Sequence, residues 1–233
     1  MKSWNDILNY IKSYFTNQEI ELSDAEMLTH LQNHTIKEFS IWAPRRYRVI
    51  LDRSCVVDNK LGIYEIPIPE DENFEIIDIY EWYHRINTSS DNYSSSLFDS
   101  SIGTVISVWF NDTSNTNPPI YPILDKNSSN RVVFNISSSE VEKYLPALLE
   151  LKVTHTSPQT IPTEVYYRWF KPFCYADILI LLGNIRSKFQ QLSTPIGQIQ
   201  TNAELLIQQG QQLKQQIISE LSRQTTISNP LFF

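Results

Sequence analysis

Glycine is scarce in this chain, five among 233 residues, and the shortage already excludes some chemistry. A phosphate-cradling loop or a dinucleotide fingerprint needs clustered glycines that let the backbone approach the anion. No such cluster is present, and no Gly-x-Ser-x-Gly elbow presents a serine nucleophile. Cysteine is scarcer still. Cys55 and Cys174 stand far apart in different patterns, which favours two buried reduced thiols over a structural disulfide. Long hydrophobic runs are missing too. A spanning helix needs about 20 apolar residues, and ILILLG at 178–183 is far too short. The N-terminal MKSWNDILNYIKSYF mixes charged and apolar residues at helical spacing and reads as neither signal peptide nor membrane anchor. A soluble protein made in a reducing cytoplasm is therefore expected. Net positive charge is also lacking. At −7, with a pI near 5.1, the surface repels phosphate backbones, which argues against tight nucleic-acid binding and leaves room only for a local basic patch.

Side chains that could assemble a reaction centre are equally thin. His30 and His34 are four apart on one helix, but they lack the HExxH pattern and a third ligand, so two ordinary histidines are the better account. The acidic cluster Glu70, Asp71, Glu72 and Glu75 follows two prolines and leads into a strand, which fits a solvated turn better than an acid–base pair. No catalytic residue, metal site or cofactor is expected.

What is present is material for folding and packing. Hydrophobic residues make up 41% and aromatics 12%, enough for one domain with an elaboration or for two small ones. Ser3 is placed to cap a first helix with Trp4, Ile7, Leu8, Ile11 and Phe15 on its apolar stripe. Ser23 and Glu26 form a capping box for a second helix, which should bury Met27, Leu28, Leu31 and Phe39 and end before Pro44. Strands are predicted over 47–51, 62–66 and, most clearly, 74–83. From 87 to 160, Ser/Asn-rich punctuation separates short β-like runs at 104–110, 131–136 and 148–154, and a short helix is possible at 137–145. A disordered linker is the alternative for the Ser/Asn clusters. Beyond Pro162 the helical pattern returns. Pro172 should break or kink it. Two further helices follow: one striped with Tyr175, Leu179, Leu182, Arg186 and Phe189, the other, about 201–223, with Leu206, Leu213, Ile217 and Leu221. Gly183 and Gly210 each cost a helix interior about 1 kcal/mol relative to Ala. They are either tolerated or kept for close backbone approach.

Three features suit contact with other chains. The basic run Arg45, Arg46 and Arg48 could touch phosphate or meet an acidic neighbour; intramolecular pairing is the plainer reading. The segment 165–175 holds six aromatics in eleven positions, and Tyr166, Tyr167, Trp169 and Phe170 are candidate interface anchors as well as candidate core. The chain ends in Leu231, Phe232 and Phe233, three large apolar residues that either dock into a neighbour or pack back on their own domain.

The N-terminal helix with ELSDAEML, the β-region YEIPIPED, and above all LGNIRSKF at 182–189, TPIGQI at 194–199 and NAELLIQQGQ at 202–211 together resemble neck proteins of tailed bacteriophages. These are the head-completion, or head–tail connector, proteins that form a ring below the portal. The resemblance covers both ends of the chain well and 87–160 poorly. Where the family carries acidic positions near the final turn, this chain has Gln198, Gln200 and Thr201.

The expectation is an α+β fold in which N- and C-terminal helices frame a β-rich central elaboration. Residues 1–86 and 161–223 would form a helical core with short strands, 87–160 a β-rich insertion and 224–233 a tail. The resemblance implies a structural virion protein of the neck with no catalysis. Its partners would be copies of itself in a ring, the portal, adjacent neck or tail proteins and, transiently, passing DNA, with no membrane. Eight glutamines lie between Gln198 and Gln216. Gln208, Gln211, Gln212 and Gln215 are candidates to face the channel or a neighbour, and simple solubility explains them as well. A tail terminator, a baseplate subunit, or a module binding a host surface or carbohydrate through 87–160 are the alternatives.

Overall fold

The computed structural model of the chain describes residues 2–15, 21–58, 62–69, 72–84, 122–125, 128, 130–136, 138–190 and 202–227. They form an α+β fold of two compact units, Met1–Arg45 with Thr154–Phe233, and Arg46–Val153.

The first unit is helical. Helix α1 (Trp4–Ser13) starts where the Ser3 hydroxyl accepts from the Asp6 amide at 3.2 Å, and it buries Ile7, Leu8 and Ile11. Helix α2 (Asp24–His30) opens on the capping box: Ser23 Oγ accepts from the Glu26 amide, and Glu26 Oε2 accepts from the Ser23 amide at 2.8 Å. A π-helical turn (Leu31–Thr35) links it to α3 (Ile36–Trp42), which stops before Pro44 as expected. After Thr154 come the short helix α5 (Thr163–Val165), a second π turn (Tyr166–Phe170) and α6 (Lys171–Gln190). Pro172 does not break this helix. The π turn directly before it, closed by the Lys171 amide on the Tyr166 carbonyl, takes up the stretch where the proline ring would strike the preceding turn. The C-terminal helix α7 (Ala203–Ile227) completes the unit. Met27, Leu31 and Phe39 join Tyr166, Trp169, Phe170 and Phe173 in one apolar core.

The second unit is built of β-strands: β1 (Arg45–Leu51), β2 (Val56–Asp58), β3 (Ile63–Glu65), β4 (Ile76–His84), β5 (Pro122–Leu124), β6 (Arg131–Phe134) and β7 (Ala147–Val153). Helix α4 (Ser138–Val141) precedes β7. Two sheets, ordered β1-β7-β4 and β2-β3-β6-β5, share one core around Leu51, Tyr64, Phe134, Leu149 and Leu151. Alternation on β7 buries Ala147, Leu149, Leu151 and Val153 on one face. The bend into β3 rests on Gly62, whose φ of +62° lies in the left-handed region, with the Phe134 amide bonded to its carbonyl at 2.9 Å.

These boundaries differ from the expected 1–86 with 161–223 and 87–160. Strands within 45–84 pair with strands after residue 121, β3 with β6 and β4 with β7. Ladder hydrogen bonds, rather than the onset of Ser/Asn-rich texture, therefore set the edge of the β unit. Strands β2 and β5, three residues each, are too short to show a period in the sequence. The β-like run at 104–110, the Ser/Asn clusters before residue 121, the turn at 194–199 and the terminal Leu231, Phe232 and Phe233 lie outside the described residues.

Candidate functional site

The hairpin of α6 and α7 is the centre of the helical unit. The first half of α6 is apolar nearly all round and buried nearly all round, as a central helix must be. Its partner α7 buries one stripe, Ala203, Leu206, Gly210, Ile217 and Leu221. Gly210 lies against the Ala176 carbonyl and Gly183 against the Ala203 carbonyl, so close that a Cβ would stand 2.6 Å and 2.8 Å from those oxygens. The two small pairs are seven residues apart on each helix, two turns, and bring the backbones together twice on the same side. This resolves the alternatives for both glycines in favour of close approach. Across the loop, Arg186 makes a two-pronged pair with Glu21 (2.8 and 3.0 Å) and donates to Asn202 Oδ1 at 2.6 Å, joining the two ends of the hairpin.

A polar network ties the other helices to this hairpin. Asp177, in the apolar run of α6, accepts from His30 Nε2 at 2.9 Å and Thr35 Oγ1 at 2.6 Å on one oxygen, and from Lys214 Nζ at 2.7 Å on the other. Lys214 also donates to Glu38 Oε2 at 2.7 Å. Residues 30 and 35 would point about 140° apart on an α-helix; the π turn between them brings both to the same carboxylate. Burial alone would raise the pKa of Asp177, but hydrogen bonds from His30, Lys214 and Thr35, with the charge of Lys214, hold it well below the usual carboxylate range. Burial would lower Lys214, yet its bonds to Asp177 and Glu38 raise it. His30 is thus engaged with the Asp177 carboxylate. Among the described residues, no group of three His, Cys, Asp or Glu is placed to hold a metal ion.

Because Lys214 turns inward, the outward face of α7 from Leu205 to Ser219 bears no charge. It presents Leu205, Gln208, Gln209, Gln211, Gln212, Gln215, Gln216 and Ser219, all exposed. The four glutamines singled out in the sequence lie together on this face.

The aromatic segment divides. Tyr166, Trp169 and Phe170 are core residues of their own chain, at most 1% exposed, and are not available as surface anchors. The Tyr166 hydroxyl donates to Asp6 Oδ2 at 2.9 Å and the Trp169 indole to Glu220 Oε2 at 3.1 Å, which satisfies their polar ends. Tyr167 alone stays at the surface, 49% exposed. Near it lies a tyrosine cluster that the sequence did not reveal. Tyr14 stacks on Tyr175 at 4.5 Å and shares a hydroxyl contact with Tyr10, while Lys171, paired with Asp6 at 2.9 Å, sits over the rings of Tyr10, Tyr166 and Tyr167.

The basic run lies on β1. Arg46 and Arg48 project from the same face and converge on Glu150 of β7, which is 2% exposed, at 3.9 and 3.4 Å. Arg46 also covers the ring of Tyr80 at 4.1 Å. At those distances neither arginine makes a good hydrogen bond, and Glu150 Oε1 has no hydrogen-bond partner among the described residues. Intramolecular pairing is therefore real but incomplete: two cations share one carboxylate. Arg45 ends the helical unit.

Charge is divided between the units as well. The helical unit carries ten Lys/Arg and ten Asp/Glu, whereas the β unit carries nine and sixteen, so the whole surplus of −7 belongs to the β unit. Cys55 and Cys174 are free thiols, Cys174 buried and Cys55 half-buried. No described helix is long and apolar enough to cross a membrane.

A family model described as "Bacteriophage ring protein" matches residues 1–230. The chain belongs to that family, and with it to the ring-forming structural proteins of phages. Comparison with the curated proteins and with the solved structures gave no match.

Proposed function

We propose that this protein is a subunit of the neck of a tailed phage, a head–tail connector ring that completes the portal vertex, offers the tail its docking surface and lines the DNA channel. The role is structural, with no reaction of its own. The observation that carries the channel assignment is the uncharged amide face of α7. Passing DNA is a dense line of phosphates, and each lysine or arginine on the wall would add a counterion-release contact that holds it. Carboxylates would repel it. Primary amides at Gln208, Gln211, Gln212 and Gln215 donate weakly and are easily replaced by water, so they neither grip nor repel. The electrically balanced helical unit is also the half of the chain fitted to stand beside DNA. The partners are further copies of the chain, the portal and the adjacent neck or tail proteins; contact with DNA is transient and non-specific.

The test is a phage unable to make the protein. Loss of a connector should leave separate tails and packaged heads that leak DNA. Stable filled heads accompanied by tails of uncontrolled length would instead favour a tail terminator. Complete particles that fail only to adsorb would favour the receptor-binding reading.

A further inference from the structure

The chain passes between its two units twice, at residues 45–46 and at 153–154. His155 holds the helical-unit end of both passages. Its amide donates to Ser40 Oγ at 2.9 Å, and its ring Nε2 lies 3.0 Å from the carbonyl oxygen of Ala43, just ahead of the first crossing. Ser40 in turn donates to the Ile36 carbonyl at 2.6 Å, so the attachment reaches back into α3. The other ring nitrogen, Nδ1, lies 2.9 Å from Thr160 Oγ1 in the 3-10 turn Pro158–Thr160. We propose that His155 is a proton-sensitive clamp on the two crossings: its neutral ring fastens one to the other, and its protonation releases them, so that acid loosens this hinge while the helical core stays folded.

Hydrogen-bond chemistry fixes the resting state. A carbonyl oxygen only accepts, so Nε2 carries the ring proton and donates to Ala43, and Nδ1 accepts from the Thr160 hydroxyl. A second proton makes Nδ1 a donor, and the Thr160 hydroxyl must then turn its own proton to the Ser157 carbonyl, 2.8 Å away. That turn is open to it, so geometry does not forbid the charged ring. Electrostatics opposes it instead. The ring is buried, and the charged groups that act on it are Arg45 at the start of β1 and Lys2 ahead of α1, both cations. Lys2 is held in place, because its Nζ donates to the carbonyls of Gln159, at 3.0 Å, and Ile161 beside the same turn. Ser40, Ala43, Ser157 and Thr160 bring only neutral groups. An imidazolium here is relieved by reaching water, and the ring reaches water only by giving up Ala43 and Thr160. The clamped ring titrates at about 4 and a released one near 6.5. The opening constant of the clamp should therefore rise about 20-fold between about pH 7 and pH 5.

The experiment is hydrogen exchange read by mass spectrometry on the full-length protein, with rates corrected for the intrinsic pH dependence of amide exchange. Peptides covering 40–46 and 153–160 should lose about 20-fold in protection from about pH 7 to pH 5, while peptides of α6 and α7 keep theirs. His155→Gln, whose side chain cannot take up a proton, should show no such acid response. Lys2→Gln removes one of the two cations, so it should shrink the response, and the NMR titration of the His155 ring should move up towards 6.5. Protection of the two crossings that stays constant with pH in the wild type overturns the proposal. An acid response that survives in His155→Gln also overturns it, since another group would then carry it. Loss of protection by α6 and α7 in step with the crossings counts against it too, because the proton would then act on the whole helical unit. Should His155→Gln fail to fold, Lys2→Gln decides: a response as large as that of the wild type overturns the clamp.

Discussion

Replacing Gly210 with Ala sets two effects of known size against each other. In an isolated helix the change is favourable by about 1 kcal/mol, because alanine loses less backbone freedom on folding. In this hairpin a Cβ at position 210 would lie 2.6 Å from the Ala176 carbonyl oxygen and 2.6 Å from Ile180 Cγ1. Carbon–oxygen contacts settle near ~3.3 Å or more, so α7 must retreat by roughly 0.7 Å. The oxygen belongs to backbone and cannot turn aside. Overpacking of this kind costs about 1–3 kcal/mol, and the retreat thins dispersion contacts along the seam. The clash outweighs the propensity gain, and a net destabilisation of about 1–2 kcal/mol is expected. Urea denaturation should show a lower midpoint with the slope unchanged, and the melting temperature should fall by about 2–8 °C. Gln209→Ala, exposed one residue earlier, should be neutral or slightly stabilising and serves as the control. Gly183→Ala should behave like Gly210→Ala and add to it. A Gly210→Ala protein as stable as the wild type, or more so, would refute close approach as the reason for the glycine.

Asp177→Asn leaves Lys214 in a half-buried site with only Glu38 to balance it, and should cost about 3 kcal/mol in denaturation experiments. The carboxyl of Asp177 is held below its ordinary value in the fold. Its contribution is therefore present above about pH 4 and disappears as the pH falls through the folded-state value, so the variant should show a flatter acid limb below about pH 4. His155 acts in a different window. Burial, with Arg45 and Lys2 nearby, outweighs the bond to the Ala43 carbonyl and pushes its pKa down to about 4. The neutral ring stabilises the fold above about pH 6.5, and that stabilisation is lost as the pH falls from there to about 4, so His155→Gln should reduce the pH dependence of unfolding in that interval. Gly62→Ala combines a left-handed backbone with a Cβ 2.2 Å from the Ile136 carbonyl oxygen, and should lower the melting temperature by the equivalent of about 2 kcal/mol or more. Lysines at Gln208, Gln211, Gln212 and Gln215 should give the protein salt-sensitive DNA binding, measured by fluorescence anisotropy, and slow genome release from particles that carry them. Unchanged release would remove those glutamines from the channel wall.

Local devices were legible in the sequence, and pairings across the fold were not. The helix start at Ser23 could be read because its cap closes within three residues, and the stripe of α7 because one face is buried along its length. The strand at 74–83 is clear from composition, yet its partner β7 lies some seventy residues away, so composition does not reveal the division into units. The Asp177 network depends on a π turn that no spacing rule anticipates. Its only sequence trace is a lone acid in ADILILLG and a lone lysine in QQLKQQ. Composition marks the aromatic segment as unusual but cannot assign three of its rings to the core and one to the surface. The small pairs Ala176/Gly210 and Gly183/Ala203 are half visible in the sequence: a glycine inside a helix stands out, whereas its alanine partner does not.

The central claim is that copies of this chain close into a ring that joins the portal. Native mass measurement with electron microscopy on the purified full-length protein, alone and mixed with portal, addresses it most directly. The expected result is a single closed species of defined subunit number, stacked coaxially on the portal, with the amide face of α7 lining its opening. A protein that stays monomeric at every concentration and never associates with the portal would contradict the account.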